Sequence, residues 1–452
     1  MMSMRLWNAF ASRRTGNMSR NRTPGLGKSG WSVIRARMSS RDLFCAILSI
    51  KSWALENPYT AARFVDYIPP MSLSLRLRRL AANRSIVQTL CTSVEAEKSD
   101  DGADLPWKRP YLTKESDPLN HSTSDLSFLY QIPSTEYKAL LSHGLPRSYR
   151  TEVENFGQAG LLIRRPAMKI IKKLQDTKNE VHRFLINGPD GCGKSLTLAH
   201  VMHFGFKAGW LIVHLPSALQ LVHSSKPVRH SYHNPTQYDQ PDESVTWLKT
   251  FRTMNSHLLN DMTTCSKYTW GKKDVTHVGD PLGSVIDQGI QKPVHATDAV
   301  GVLLKEVALQ DNRPILFAVD DFNGFFGLCS VRDPDGNKIA VENLRVRGHF
   351  LRALKAMKCG SAVMALSRSG MLNEKKLGFS PGALLRKEGL AAITPHVNVR
   401  VDGYNEDEII SMINYYASKN WLTGGYTKEK LEEIAFLTQK NPIALRKLCD
   451  PY

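Results

Sequence analysis

The chain has no apolar run long enough to span a bilayer, no closely spaced cysteine pair, no detectable internal repeat and, across its first 41 residues, no acidic side chain. The first absence removes a membrane-spanning helix. The second removes zinc and dithiol chemistry: Cys45, Cys91, Cys192, Cys265, Cys329, Cys359 and Cys449 are scattered, as expected of free thiols in a reducing compartment. His223, His230 and His233 cluster in a polar stretch rich in Ser, Pro and Asn, which reads as a solvated loop rather than a metal site. An N-K-x-D guanine-reading motif is also missing, because Asn337-Lys338-Ile339-Ala340 lacks the Asp.

What is present begins with charge. The 452 residues carry a formal net charge of +18 and 42% apolar side chains. That gives core material for two or three domains and a surplus suited to a polyanionic partner, nucleic acid ahead of an acidic membrane surface. Residues 1–41 hold nine Arg or Lys among many Ser, the composition of an organellar transit peptide. A second such stretch starts at Met71 and runs Leu73, Leu75, Arg76, Leu77, Arg78, Arg79, Leu80, amphipathic if helical. Residues 1–91 are therefore expected to be a basic targeting region, with Met71 an alternative start, or else a basic tail that touches nucleic acid directly. Residues 92–136 are expected to form an extended arm, residues 137–402 an α/β nucleotide-binding domain, and residues 403–452 a small helical lid.

The most informative segment is Gly188-Pro189-Asp190-Gly191-Cys192-Gly193-Lys194-Ser195, which fits the phosphate-loop pattern G-x-x-x-x-G-K-[ST]. The strand-like run Arg183–Asn187 precedes it, and Leu196, Leu198, Ala199, Val201 and Met202 follow at helical spacing. Glycines let backbone N–H groups converge on phosphate at a helix N-terminus. Lys194 would reach the β- and γ-phosphates, and Ser195 would ligate Mg²⁺. Cys192 reads as a small filler rather than an acidified thiol.

Further strands are expected at Trp210–Leu215, Pro314–Val319, Ser361–Leu366 and Val397–Val401. Helices between them make a parallel five-stranded sheet of the additional-strand (AAA+/STAND-like) P-loop NTPase type. A helix containing Leu161 through Leu174 should lead into the phosphate loop, with Pro166 expected to start or break it. A long helical insert, 217–308, holds helices near Thr246–Asp261 and Thr297–Leu309, and three short helices close the chain at Glu406–Lys419, Lys428–Gln439 and Pro442–Cys449.

The strand Ile315–Val319 delivers Asp320, the Walker B acid that would support Mg²⁺. Asp321 stands where a catalytic Glu often activates water, but is shorter and equally readable as a turn former, so turnover is expected to be slow or absent. Ser367, at the tip of the fourth strand, is the candidate γ-phosphate sensor. Candidate nucleotide contacts are thus Gly188, Asp190, Gly191, Cys192, Gly193, Lys194, Ser195, Leu196, Ser367 and Pro442 at the lid base. The residues left open whether ATP or a guanine nucleotide binds.

Several segments are together more specific: Asp117-Pro118 with Asn120-His121, His143-Gly144-Leu145-Pro146, the phosphate loop, Tyr238-Asp239-Gln240-Pro241 with Trp247-Leu248-Lys249, Pro281-Leu282-Gly283, Gln288-Gly289-Ile290, Ala296–Gly301 and Ala365-Leu366-Ser367. From about Thr113 to Tyr452 the chain resembles the death-associated protein three family, GTP-binding proteins of the mitochondrial ribosomal small subunit. The resemblance implies a matrix location, a place in the subunit head, bound GTP or GDP with Mg²⁺, and contacts with small-subunit rRNA and neighbouring ribosomal proteins. Proteins of the large subunit are a further candidate partner. The family pattern has Gly at Asp321 and often Thr at Ser195. The rival expectation is a P-loop switch acting off the ribosome, for instance in mitochondrial apoptosis signalling.

Overall fold

The computed structural model describes residues 109–176, 180–310, 313–369, 378–422 and 427–450. The expected targeting region, residues 1–91, lies outside them.

Five apolar strands form one parallel sheet: β3 (His182–Asn187), β4 (Leu211–Leu215), β5 (Ile315–Val319), β6 (Gly360–Ala365) and β7 (Val397–Arg400), in the order β7-β3-β6-β5-β4. The strands read as continuous apolar runs because the sheet is covered on both faces. Alternate residues serve opposite cores. Leu185, Val213, Phe317 and Met364 pack under the insert helices, while Phe184, Ile186, Ile212, Leu316 and Val363 pack against α2 (Arg165–Asp176) and α3 (Lys194–Lys207). β6 lies between the strand leading into the phosphate loop and the one delivering Asp320, which is the additional strand expected from the sequence.

The insert contains α4 (Ala218–Val222), α5 (Pro241–Asn255), α6 (Leu282–Gln291) and α7 (Ala296–Leu309). α6 was not foreseen as a helix. α5 ends earlier than its apolar pattern suggested, because Asn255 turns its amide onto the sheet edge: Oδ1 accepts from Ile212 N and Nδ2 donates to Ile212 O, both at 2.9 Å. The pair satisfies backbone groups that an edge strand otherwise leaves open.

Two expectations upstream need correction. Leu161 and Leu162 belong not to a helix but to β2 (Ala159–Leu162), paired antiparallel with β1 (Leu129–Ile132). The helix begins only at Arg165. A short apolar run satisfies either periodicity, and the cross-strand partner lies in the segment expected to be an extended arm. From Arg109 onward that segment is ordered; Leu129 and Tyr130 are fully buried.

After α8 (Arg345–Ala356) and α9 (Pro381–Ile393), the chain ends in α10 (Glu406–Ser418), α11 (Lys428–Thr438) and α12 (Pro442–Cys449). Their starts are written in the sequence. Asn405 and Glu408 form a reciprocal capping box, Thr427 caps α11, and Asn441 caps α12 with Pro442 at its first position. These helices share a core with Leu129 and Leu162 of the ribbon. Among the described residues no helix is long and apolar enough to cross a membrane.

Candidate functional site

The phosphate loop leaves β3 and enters α3 with Gly193, in the left-handed region, as the N-cap. Two glycines are sterically required. A Cβ on Gly188 would lie 2.0 Å from the Val401 carbonyl oxygen, and one on Gly191, whose φ is +76°, would lie 2.3 Å from Ile443 Cγ2. The loop is therefore wedged between β7 and the first turn of α12. Asn441 fastens it there: Nδ2 donates to Asp190 O at 2.8 Å while Oδ1 caps α12.

A cavity of about 260 Å³ opens above the loop. Of the residues singled out from sequence, Asp190, Gly191, Gly193, Lys194, Ser195, Leu196, Asp320, Asp321, Ser367 and Pro442 line it. Gly188 and Cys192 do not. Gly188 serves the close approach of β7, and Cys192 is buried in the core, where burial pushes its thiol up.

Lys194 Nζ donates to the Gly188 and Pro189 carbonyls at 2.9 and 2.8 Å, which holds the ammonium over the loop. Ser195 hydrogen-bonds the Asp320 carboxylate. Burial, and then the charge of Asp321, raise the Asp320 carboxyl above the usual range, an arrangement a nearby divalent cation would relieve. Asp321 Oδ2 accepts from Ser217 Oγ at 2.5 Å, while the Ser367 hydroxyl donates to Ser369 Oγ at 3.0 Å. Asp321 is thereby a fixed structural acceptor. Asn323 in turn grips Ser367 through both backbone groups, donating to its carbonyl at 2.8 Å and accepting its N–H at 3.0 Å. Among the described residues no group of three or more His, Cys, Asp or Glu could hold a metal alone. A Mg²⁺ ion on Ser195 would take its other ligands from phosphate and water.

Arg164, next to the exposed Arg165 and Lys169, is itself buried. Its guanidinium makes paired contacts with Glu408 at 3.1 and 3.0 Å, and donates to Cys192 O at 2.7 Å and to the Asp402 and Gly403 carbonyls at 3.0 Å. It stacks 5.0 Å from the Tyr404 ring centroid. One side chain thus joins the phosphate loop, the end of the sheet and the lid. Glu152 and Arg446, also unanticipated, meet in the same cavity wall at 3.2 Å; burial pushes the Glu152 carboxyl up to about 7 against the pull of Arg446.

Converging N–H groups at a helix N-terminus, an ammonium, a hydroxyl beside a carboxylate and a lid seated on the loop suit a phosphorylated ligand with a divalent cation. With the strand order, they define a P-loop NTPase fold of the additional-strand type. The chain matches the family described as mitochondrial ribosomal death-associated protein 3 over residues 161–448, and it belongs to that family. It is 36% identical to the small ribosomal subunit protein mS29 of Mus musculus, covering 79% of this chain and 93% of the relative. Against the Bos taurus protein of the same name the identity is 35%, covering 75% and 87%. A Neurospora crassa relative, also named small ribosomal subunit protein mS29, is 22% identical over 62% of this chain and 64% of its own. Among solved structures, AMPPCP-bound DnaA from Aquifex aeolicus aligns at 13% identity over 63% of this chain and 58% of its own, with a TM-score of 0.28.

Proposed function

We propose that the protein is a structural component of the small subunit of the mitochondrial ribosome, working in the matrix, and that it keeps a nucleoside di- or triphosphate with Mg²⁺ in the phosphate-loop cavity as a structural ligand. The observation that carries the ribosomal part is identity of 36% spread over 93% of a protein named for that subunit. The nucleotide part rests on the cavity, in which Lys194 and Ser195 would hold phosphate and metal and Asp320 would support the metal. The ligand supplies charge to the loop and stabilises the native state by mass action, about 2.7 kcal/mol at a hundredfold excess over Kd. Asp321, tied to Ser217, is not free to activate water, which favours slow or absent hydrolysis.

The exposed cations Arg147 and Arg150 on α1 (Arg147–Phe156) and Arg165, Lys169 and Lys172 on α2 form a basic face suited to rRNA phosphates. Arg386 and Lys387 are exposed beyond the fourth strand; Lys375 and Lys376 lie outside the described residues. A switch working off the ribosome is not favoured. Sedimentation of the endogenous protein on sucrose gradients tests the reading. It should travel with small subunits in low salt and be released with a steep salt dependence, and nucleotide should be extractable from the purified particles. Persistent migration as a free protein at low salt would overturn it.

A further inference from the structure

A second cavity, of about 1020 Å³, lies in and beside the insert and shares no residue with the phosphate-loop cavity. Its floor is the cleft between α7 and α8. Val302, Ala308 and Leu309 line it from the first helix and Ala353 and Ala356 from the second, at spacings that turn one face of each helix toward the cleft. The two helices meet closely at Gly301, where a Cβ would lie 2.3 Å from His349 Cε1. The margin is apolar and open to solvent: Tyr232 is 96% exposed, Val294 59% and Leu309 38%. An apolar floor continuous with an exposed apolar margin marks a binding surface.

The charge of the groove is one-sided. Arg229, Lys305, Arg345 and Arg352 stand against Asp239 and Asp298, and both carboxylates are already taken by Arg345, which donates to them at 2.7 and 2.6 Å. Arg352 donates to His349 Nδ1 at 2.8 Å, and Lys305 lies over the Tyr268 ring, 5.6 Å from its centroid. Both cations are exposed, and neither has a carboxylate partner among the described residues. Burial pushes His349 down to about 3, so its ring is neutral, and with Nδ1 accepting from Arg352 its Nε2 proton is left without an acceptor. What the groove lacks is acceptors.

We propose that this groove binds an acidic peptide segment of another protein, with apolar side chains on the α7–α8 floor and carboxylates on Lys305 and Arg352. The volume suits several side chains of one continuous segment, laid along the cleft in the helix-in-groove manner. The floor is aliphatic helix, whereas an RNA strand is held by ring faces on which its bases stack.

The test is zero-length carbodiimide crosslinking of the native protein in mitochondria lysed gently at low salt, read by mass spectrometry. The reagent joins a lysine to a carboxylate only at ion-pair distance. Lys305 should be joined to an Asp or Glu of a second protein, in a stretch with more acidic than basic residues and apolar residues beside them. Acetic anhydride should label Lys305 in the isolated full chain and leave it largely unlabelled in the lysate. With Arg352→Glu in place of the wild type, the Lys305 adduct should fall about tenfold, since a like charge then faces the segment. Equal labelling of Lys305 in both states, a link only to carboxylates of this same chain, a partner stretch without acidic excess, an adduct undiminished by Arg352→Glu, or an ultraviolet crosslink from the groove to RNA would each overturn the proposal. Crosslinking and labelling use native protein, so they decide the matter even if the variant does not fold. An acidic partner from outside the small ribosomal subunit would support the groove and count against the ribosomal reading.

Discussion

Replacing Arg164 with Met tests whether one buried cation holds the site together. The substitution keeps most of the aliphatic volume but removes the contacts to Glu408, the Cys192 carbonyl and the carbonyls of Asp402 and Gly403. Glu408 is itself 4% exposed. Without Arg164 it keeps only its capping bonds to Asn405 N–H and the α10 start, and a buried charge stripped of its partner costs about 3–5 kcal/mol. The carbonyls of Cys192, Asp402 and Gly403 lose a charged donor as well. Urea unfolding at pH 7 should therefore move to a midpoint lower by the equivalent of about 3–5 kcal/mol. Adding Glu408→Gln to Arg164→Met should recover part of that loss, since the neutral amide no longer needs a cation. Nucleotide affinity should fall as well, because Cys192 O anchors the loop. A cost under about 1 kcal/mol for Arg164→Met, or strict additivity in the double variant, would refute the clamp.

Lys194→Ala should abolish nucleotide retention through gel filtration, since phosphate charge loses its main cationic partner; tight binding by this variant would remove the phosphate-loop assignment. Asp320→Asn should weaken Mg²⁺-dependent binding more than binding in EDTA, because an amide offers a hard cation one oxygen and no charge, and equal losses in both would argue against metal support. Burial holds His214 down to about 3, below its unfolded value near 6.5. The unfolded chain thus binds the extra proton, and the stability this group contributes above pH 6.5 is lost as pH falls toward 3. Between pH 6.5 and 5 the loss is about 2 kcal/mol; His214→Gln should flatten that part of the urea-midpoint profile, and an unchanged slope would contradict it.

The sheet was legible because its strands are uninterrupted apolar runs, and the acid after Val319 follows from such a run ending in Asp320. Ser367 and Pro442 reach the cavity because strand tips and helix caps carry short-range signals. The β1–β2 ribbon was missed because Leu161, Leu162 and Ile163 satisfy helix and strand patterns alike, and their partners sit upstream in a polar stretch. Arg164 looked like its neighbours Arg165 and Lys169, since the residue that internalises it lies 244 positions away. Glu152 escaped for the same reason, with Arg446 294 positions downstream. Pair chemistry at such separations leaves no mark in local spacing.

The strand that feeds the phosphate loop has its two neighbours far along the chain: β3 pairs with β6 about 180 residues later and with β7 about 210 residues later. As the polypeptide emerges into a compartment, the eight residues of the loop are available early, but the Val401 carbonyl and the Asn441 amide that wedge them arrive only with the last strand and the final helix. Competence to capture a ligand is therefore acquired at the end of folding. A chain truncated anywhere between Ser195 and Val397 would carry the whole motif yet lack a formed cradle, so occupancy would certify that synthesis had run to completion before the protein is committed to a larger assembly.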